Sequence, residues 1–187
     1  MHPDIPSFGV RVVPFRRSAH RLKSTGFSLV EMITTMSVLA ILLVVASPGL
    51  ASLTSSNALA SAQTELSAAM MMARGEAMKR GVAVGLSALV PAAGAEFSGG
   101  WMVFVDSNGN GRYDAGETIV RQQQAYRTDI HIATAGGATT VAFNSRGFLA
   151  PSSPVTITLC SSSASKGYQL VVEPVGLADV TELAGCH

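Results

Sequence analysis

The chain has 187 residues, of which 48% are hydrophobic and only 13% charged, with a formal net charge of +1. This is length for one domain and one further element, and it is apolar for a soluble protein. The charge is split. Arg11, Arg16, Arg17, Arg21 and Lys23 stand against Asp4 at the start, a net of +4, which leaves 8 basic and 11 acidic side chains after residue 26, a net of −3. A net-acidic remainder argues against phosphate-backbone binding as the main activity.

The first 26 residues hold Pro3, Pro6 and Pro14, which argue against a folded element there. Their basic side chains sit directly before an apolar run, so the positive-inside rule keeps them in the cytoplasm and places the bulk of the chain outside. The run, residues 27–46, carries one acidic side chain, Glu31, and no basic one. At about 1.5 Å per residue it spans roughly 30 Å, one hydrocarbon core. A carboxylate inside such a segment costs at least about 2.5 kcal/mol, so it requires a partner or an interfacial position.

Gly26-Phe27-Ser28-Leu29-Val30-Glu31, followed by that apolar helix, resembles the processing motif of type IV pilins and type II secretion pseudopilins. The resemblance implies cleavage between Gly26 and Phe27 by a membrane-embedded prepilin peptidase, and methylation of the new Phe27 amine. It also implies that Glu31 pairs with an N-terminal amine during assembly. The alternative for Glu31 is a solvated, inert place at the interface. An ordinary export signal ending near Val45-Ala46-Ser47-Pro48 is the rival for the whole segment, with a mature start near Ser52.

Pro48-Gly49 predicts a kink or local melting. Beyond it Leu59, Ala62, Leu66, Ala69, Met70, Ala73 and Ala77 recur at three- and four-residue steps, with polar residues between them. That is one apolar helix face. Lys79 and Arg80 suit the helix C-terminus, and Gly81 is placed to cap it. One helix is therefore expected from about 28 to 80. From Gly81 the period shifts toward two, with strands expected at 82–87, 101–105, 118–123, 130–133, 140–144, 155–159 and 168–173, and loops at 92–100 and 135–138. One long helix followed only by strands predicts an α+β fold, with a largely antiparallel sheet packed on the C-terminal half of the helix. The expected organisation is a leader at 1–26, a transmembrane and assembly helix at 27–50, and a head at 51–187.

The stretch Trp101-Met102-Val103-Phe104-Val105-Asp106, then Asn108-Gly109-Asn110-Gly111, then Asp114-Ala115-Gly116-Glu117 resembles the central signature of the GspH/FimT group of minor pilins and pseudopilins. The same stretch places Asp106, Asn108, Asn110, Asp114 and Glu117 at positions 1, 3, 5, 9 and 12 of a loop with Gly111 at 6. That is the ligand spacing of an EF-hand calcium loop. Strand-like flanks and Asn-Gly pairs suit a metal-free hairpin instead. No cofactor is required; calcium is the one candidate ion.

Cys160 and Cys186 are the two cysteines. In an exported chain the default is one disulfide, the alternative two free thiols. A cysteine pair around the last strands also fits the GspH/FimT group. No catalytic constellation is present: after residue 26 only His131 and His187 remain, with no zinc-protease, serine-hydrolase or phosphate-loop motif. Some members of the FimT branch bind DNA through an arginine-containing stretch near the C-terminus. The corresponding Gly176-Leu177-Ala178-Asp179 has no arginine, and residues 161–187 carry Lys166 against Glu173, Asp179 and Glu182. Nucleic acid is disfavoured unless Arg121, Arg127 and Arg146 cluster in space. The expectation is a structural subunit, not an enzyme, of a type IV pilus or a type II secretion pseudopilus. Its partners would be other pilin-like subunits, the prepilin peptidase and the inner membrane, with the head in the periplasm.

Overall fold

A computed structural model gives the structure of residues 26–185, the side chains of residues 45–48 excepted. The basic leader and Cys186 lie outside the described residues, as do the side chains around the kink expected at Pro48. The chain divides into two units, Met1–Leu42 and Leu43–His187. One helix, α1 (Leu29–Arg80), begins in the first and ends in the second.

In the first unit the helix starts as capping chemistry requires. Ser28 accepts the Val30 N–H on its Oγ at 3.3 Å, and its carbonyl accepts the Met32 N–H at 3.1 Å. Every described side chain from residue 26 to 44 is exposed. The hydroxyls of Thr34, Thr35 and Ser37 fold back onto the Glu31, Met32 and Ile33 carbonyls at 2.8–3.0 Å. Polar side chains satisfied on their own helix leave an outer surface that is apolar apart from Glu31.

The second unit holds the head. All seven residues of the expected stripe, Leu59 to Ala77, are buried. The helix ends as expected, with Gly81 at φ 70° donating its N–H to the Ala77 carbonyl at 2.9 Å.

Eight strands follow: β1 (Ala83–Ala88), β2 (Trp101–Asp106), β3 (Ile119–Gln123), β4 (Ile130–Thr134), β5 (Thr140–Phe143), β6 (Val155–Ser161), β7 (Gly167–Val172) and β8 (Ala178–Leu183). They form two four-stranded sheets, ordered β3-β2-β1-β5 and β4-β6-β7-β8, and every pairing is antiparallel. The expected strands are all present within a residue or two. Two features correct the sequence reading: there are two sheets rather than one, and β8 was not anticipated. Val84 and Leu86 of β1, Trp101 and Val103 of β2, Ile132 of β4, Ile157 and Leu159 of β6, and Leu170 of β7 join the helix stripe in one buried cluster. Each fully buried Leu, Ile or Val contributes about 1.5–3 kcal/mol of transfer free energy. The alanines among the stripe let the sheets approach the helix closely.

The expected loop at 92–100 ties the sheets together. β4 is an edge strand, and residues 94–98 lie along it. The Phe97 N–H donates to the Ile132 carbonyl at 3.1 Å, and the Ile132 N–H to Ser98 Oγ at 2.8 Å. The Thr134 N–H donates to Glu96 Oε2 at 2.9 Å, and the Gly94 N–H to Glu96 Oε1 at 3.0 Å. Glu96 is buried. The edge of the second sheet is thus covered by chain from the first, which removes a template for pairing with other molecules. A second clasp joins helix to sheet: Asp129 Oδ2 accepts from Ser55 Oγ at 2.9 Å and from Ser161 Oγ at 3.1 Å. Burial pushes the Asp129 carboxyl up, but those two hydroxyls and the nearby Arg127 outweigh it and hold it below the usual range.

Candidate functional site

The site begins at residue 26, where the fold makes no demand for glycine. A side chain built there meets nothing within 4 Å, and the backbone is not in the left-handed region. Phe27 is 73% exposed. Glu31 lies in the first helical turn, where the helix dipole favours a carboxylate. Among the described residues its carboxylate has no hydrogen bond or ion pair. Phe27 and Glu31 are therefore a free aromatic and a free carboxylate at the start of an apolar helix.

The second candidate is the loop between β2 and β3. It is a hairpin, with Val105 N–H donating to the Thr118 carbonyl at 2.9 Å. The loop folds back over the outer face of the first sheet, where Tyr113 meets Phe104 edge-on at 5.6 Å. Phe104 in turn fills the space over Gly85. Beside it an open groove of about 910 Å³ is lined by Ser87, Met102, Tyr113, Thr140, Ala142 and Pro151, among others. Its lining combines small side chains with Met102, and the Asp106 carboxylate among them is taken up by backbone N–H groups of the loop.

The five proposed calcium ligands come together, but bonded to one another and to their own backbone. Asp106 Oδ1 accepts the Gly109 and Asn110 N–H groups at 2.8 and 3.1 Å, and Oδ2 the Gly111 N–H at 2.7 Å. Glu117 accepts the Ser107 N–H at 2.8 Å and the Asp114 N–H at 3.0 Å, one on each oxygen. The side-chain oxygens of Asn108 and Asn110 accept the N–H groups of Asn110 and Arg112. Their amide nitrogens both donate to Asp114 Oδ2, at 2.8 and 2.6 Å. These two donors hold the Asp114 carboxyl below its usual range. A calcium ion would need amide oxygens where Asn108 and Asn110 present N–H groups. Among the described residues no group of three His, Cys, Asp or Glu side chains is placed to hold a metal. The residues as arranged do not fit the ion.

Cys160 stands on β6 opposite His131 of β4 and is not a free thiol; Cys186 lies outside the described residues. The three arginines that would have to cluster for DNA binding lie in different elements. Arg121 lies 5.6 Å over the Trp101 ring, Arg127 pairs with Asp129 at 3.0 Å, and Arg146 is on the turn that follows β5. Sequence reasoning missed Glu96. It stands in a segment rich in Ala, Gly and Ser, and its partner Thr134 is 38 residues away, so no local pattern marks it.

Residues 62–176 match the family described as Type II transport protein GspH, and residues 21–47 match the prokaryotic N-terminal methylation motif. The chain belongs to the GspH family. It is a GspH-type minor pilin or pseudopilin that carries a methylation motif. The pilin-like protein PilA1 of Thermus thermophilus is 33% identical over 160 residues, covering 82% of this chain and 96% of that protein. Among solved structures, two crystal forms of the Pseudomonas aeruginosa type IV minor pilin FimU share the fold. One has a TM-score of 0.59 at 22% identity, covering 72% of this chain and 99% of FimU; the other has 0.56 at 21%, covering 69% and 100%. The GspH match begins inside the helix stripe and includes β1 to β7 and the β2–β3 hairpin; the motif match covers Gly26 to Glu31. Among the described residues no single helix is long and apolar enough to cross a membrane; Leu29–Val44 and Gly49–Arg80 as a pair meet the test of length and composition only.

Proposed function

We propose that this GspH-type subunit is cut between Gly26 and Phe27 and methylated on the Phe27 amine. The apolar helix then holds it in the inner membrane with the head in the periplasm, until it joins a pilus or pseudopilus. The observation that carries this is the coincidence at residue 26. Glycine there serves neither packing nor backbone conformation, yet it stands at the head of an exposed apolar helix within a matched methylation motif. A residue the fold does not need is explained by an enzyme that reads it.

In this reading the physical work is transfer of an apolar helix from lipid to a bundle of like helices. Glu31 has no partner within its own described chain, and the N-terminal amine of Phe27 is the cation nearest in sequence. Pairing the two, within or between subunits, lowers the cost of the carboxylate in an apolar setting. We further propose that Cys160 pairs with Cys186, closing the end of the chain onto β6. The chain is a structural subunit with no reaction of its own.

The test is substitution of Gly26 by a bulky residue in cells that hold a prepilin peptidase. The variant precursor should keep its full mass, while the natural chain should yield a product that begins at Phe27 and carries one added methyl group. A product of unchanged size from the variant, or a mature start near Ser52, would overturn the proposal.

A further inference from the structure

Within the head, three segments meet on two glycines. Arg74 and Met78 of α1 contact Gly147 in the connection after β5; a side chain built at Gly147 would lie 2.9 Å from Met78 Sδ and 3.2 Å from Arg74 Cγ. Gly176, at the turn between β7 and β8, sits on the Gly147 carbonyl and beside the Arg74 guanidinium. Arg74 Nε donates to the Gly147 carbonyl at 3.1 Å. The glycines are buried, but the residues around them are not. Met71, Met78, Phe148, Val175 and Leu177 are all exposed large apolar side chains. Met71, Arg74 and Met78 share one helix face by their spacing of three and seven residues.

This surface is an apolar patch with a cation inside it. Among the described residues Arg74 has no carboxylate partner; Nε is used and the two terminal nitrogens of the guanidinium are not. The complement is an apolar segment with a single carboxylate. The first unit of this chain is such a segment. From residue 29 to 44 it exposes apolar side chains on all sides and carries one charge, Glu31.

We propose that the patch formed by Met71, Arg74, Met78, Phe148, Val175 and Leu177 receives the apolar N-terminal helix of a neighbouring pilin-like subunit, with Arg74 against its carboxylate. The inference rests on the assembly reading above and names the surface that reading needs on the head. It does not displace the amine. A carboxylate has two oxygens and accepts from an N-terminal amine and a guanidinium together. Burial of the five apolar side chains supplies the adhesion, and the desolvated charge pair sets the register.

The test uses the full-length chain in cells that process and assemble it. A benzophenone side chain is placed at Leu177 and, in a second strain, at Leu42 within the apolar helix; cross-linked peptides are identified by mass spectrometry. The expected product from Leu177 is a peptide from the apolar N-terminal helix of a subunit, and Arg74→Glu should lower its yield about tenfold or more. Because Arg74 also touches Gly147, the fluorescence melt of Trp101 is recorded for the variant, and Val175→Asp, at an exposed position of the same patch, serves as a second disruption. Cross-links from Leu42 to other subunits, with only lipid or head peptides from Leu177, would overturn the inference and leave the assembly reading standing. No subunit cross-link from either position would overturn both.

Discussion

Glu96 offers a direct measure of how the two sheets are joined. Its carboxylate is 5% exposed and carries no ion pair, yet it accepts the N–H groups of Thr134 and Gly94. Replacing it by alanine leaves the Thr134 N–H, itself buried, without an acceptor; Gly94 is exposed and finds water. An orphaned buried donor costs about 1–3 kcal/mol, and the lost charge-assisted bond to Gly94 adds about 1 kcal/mol. The sum is about 2–4 kcal/mol. For a unit of this size, roughly 3 °C per kcal/mol, Glu96→Ala should lower Tm by about 6–12 °C. The assay is thermal unfolding of the detergent-solubilised chain, followed through Trp101, the one tryptophan. It is fully buried and hydrogen-bonded to Tyr126 Oη at 2.8 Å. Glu96→Gln keeps one acceptor oxygen and should lose less. The pH dependence has a definite sign. The Thr134 N–H bond is the largest influence on Glu96 and, against the opposing push of burial, holds its carboxyl below the usual value of 4.5. A depressed folded value means the carboxylate stabilises the fold fully above pH 4.5 and ceases to do so as pH falls through the folded value. The gap between the natural chain and Glu96→Gln should therefore close only below about pH 4.5. An alanine variant that melts within about 1 °C of the natural chain would refute the idea that this carboxylate anchors the segment.

Gly85→Ala should destabilise the head by about 1–3 kcal/mol, because its new methyl group would lie 2.5 Å from Phe104 Cζ in a fully packed site; the double variant Gly85→Ala/Phe104→Leu should recover part of that loss in denaturant unfolding, and failure to recover any would mean the ring is not the obstacle. Calcium at millimolar concentration should leave the melting temperature of the chain unchanged, since Asn108 and Asn110 direct N–H groups at Asp114 and both Glu117 oxygens are bonded to backbone. A clear rise on adding calcium, reversed by chelator, would show that the two amides flip to bind the ion.

The helix was legible because its physics is local. A stripe at three- and four-residue steps buries one face wherever the sheets lie, and all seven of its members are buried. Strands with one face on the core were legible for the same reason: β4 and β6 alternate buried and less buried side chains along most of their length. β8 was not. It is an edge strand with only its first and last residues partly covered, so no core imposed an apolar alternation on Ala178 to Leu183. The hairpin loop was only half legible. Oxygen-bearing residues at the right spacing are visible in the sequence, but which atom of each amide faces inward is set by the backbone that surrounds it. The convergence of Arg74, Gly147 and Gly176 was equally hidden, since contacts across 70 residues and more leave no local trace.

The sequence alone determined the processing motif, the apolar helix with its one carboxylate, the amphipathic stripe and the order of helix before strands. Each follows from residue types within a few positions of one another. Tertiary structure decided the rest: the division of strands into two sheets, the buried Glu96 that closes one sheet edge, the self-bonded hairpin loop, and the apolar patch around Arg74. These arise where backbone donors, carboxylates and glycines from distant segments meet. A pairing of that kind has an energy only once the fold has brought its partners within hydrogen-bond or van der Waals reach.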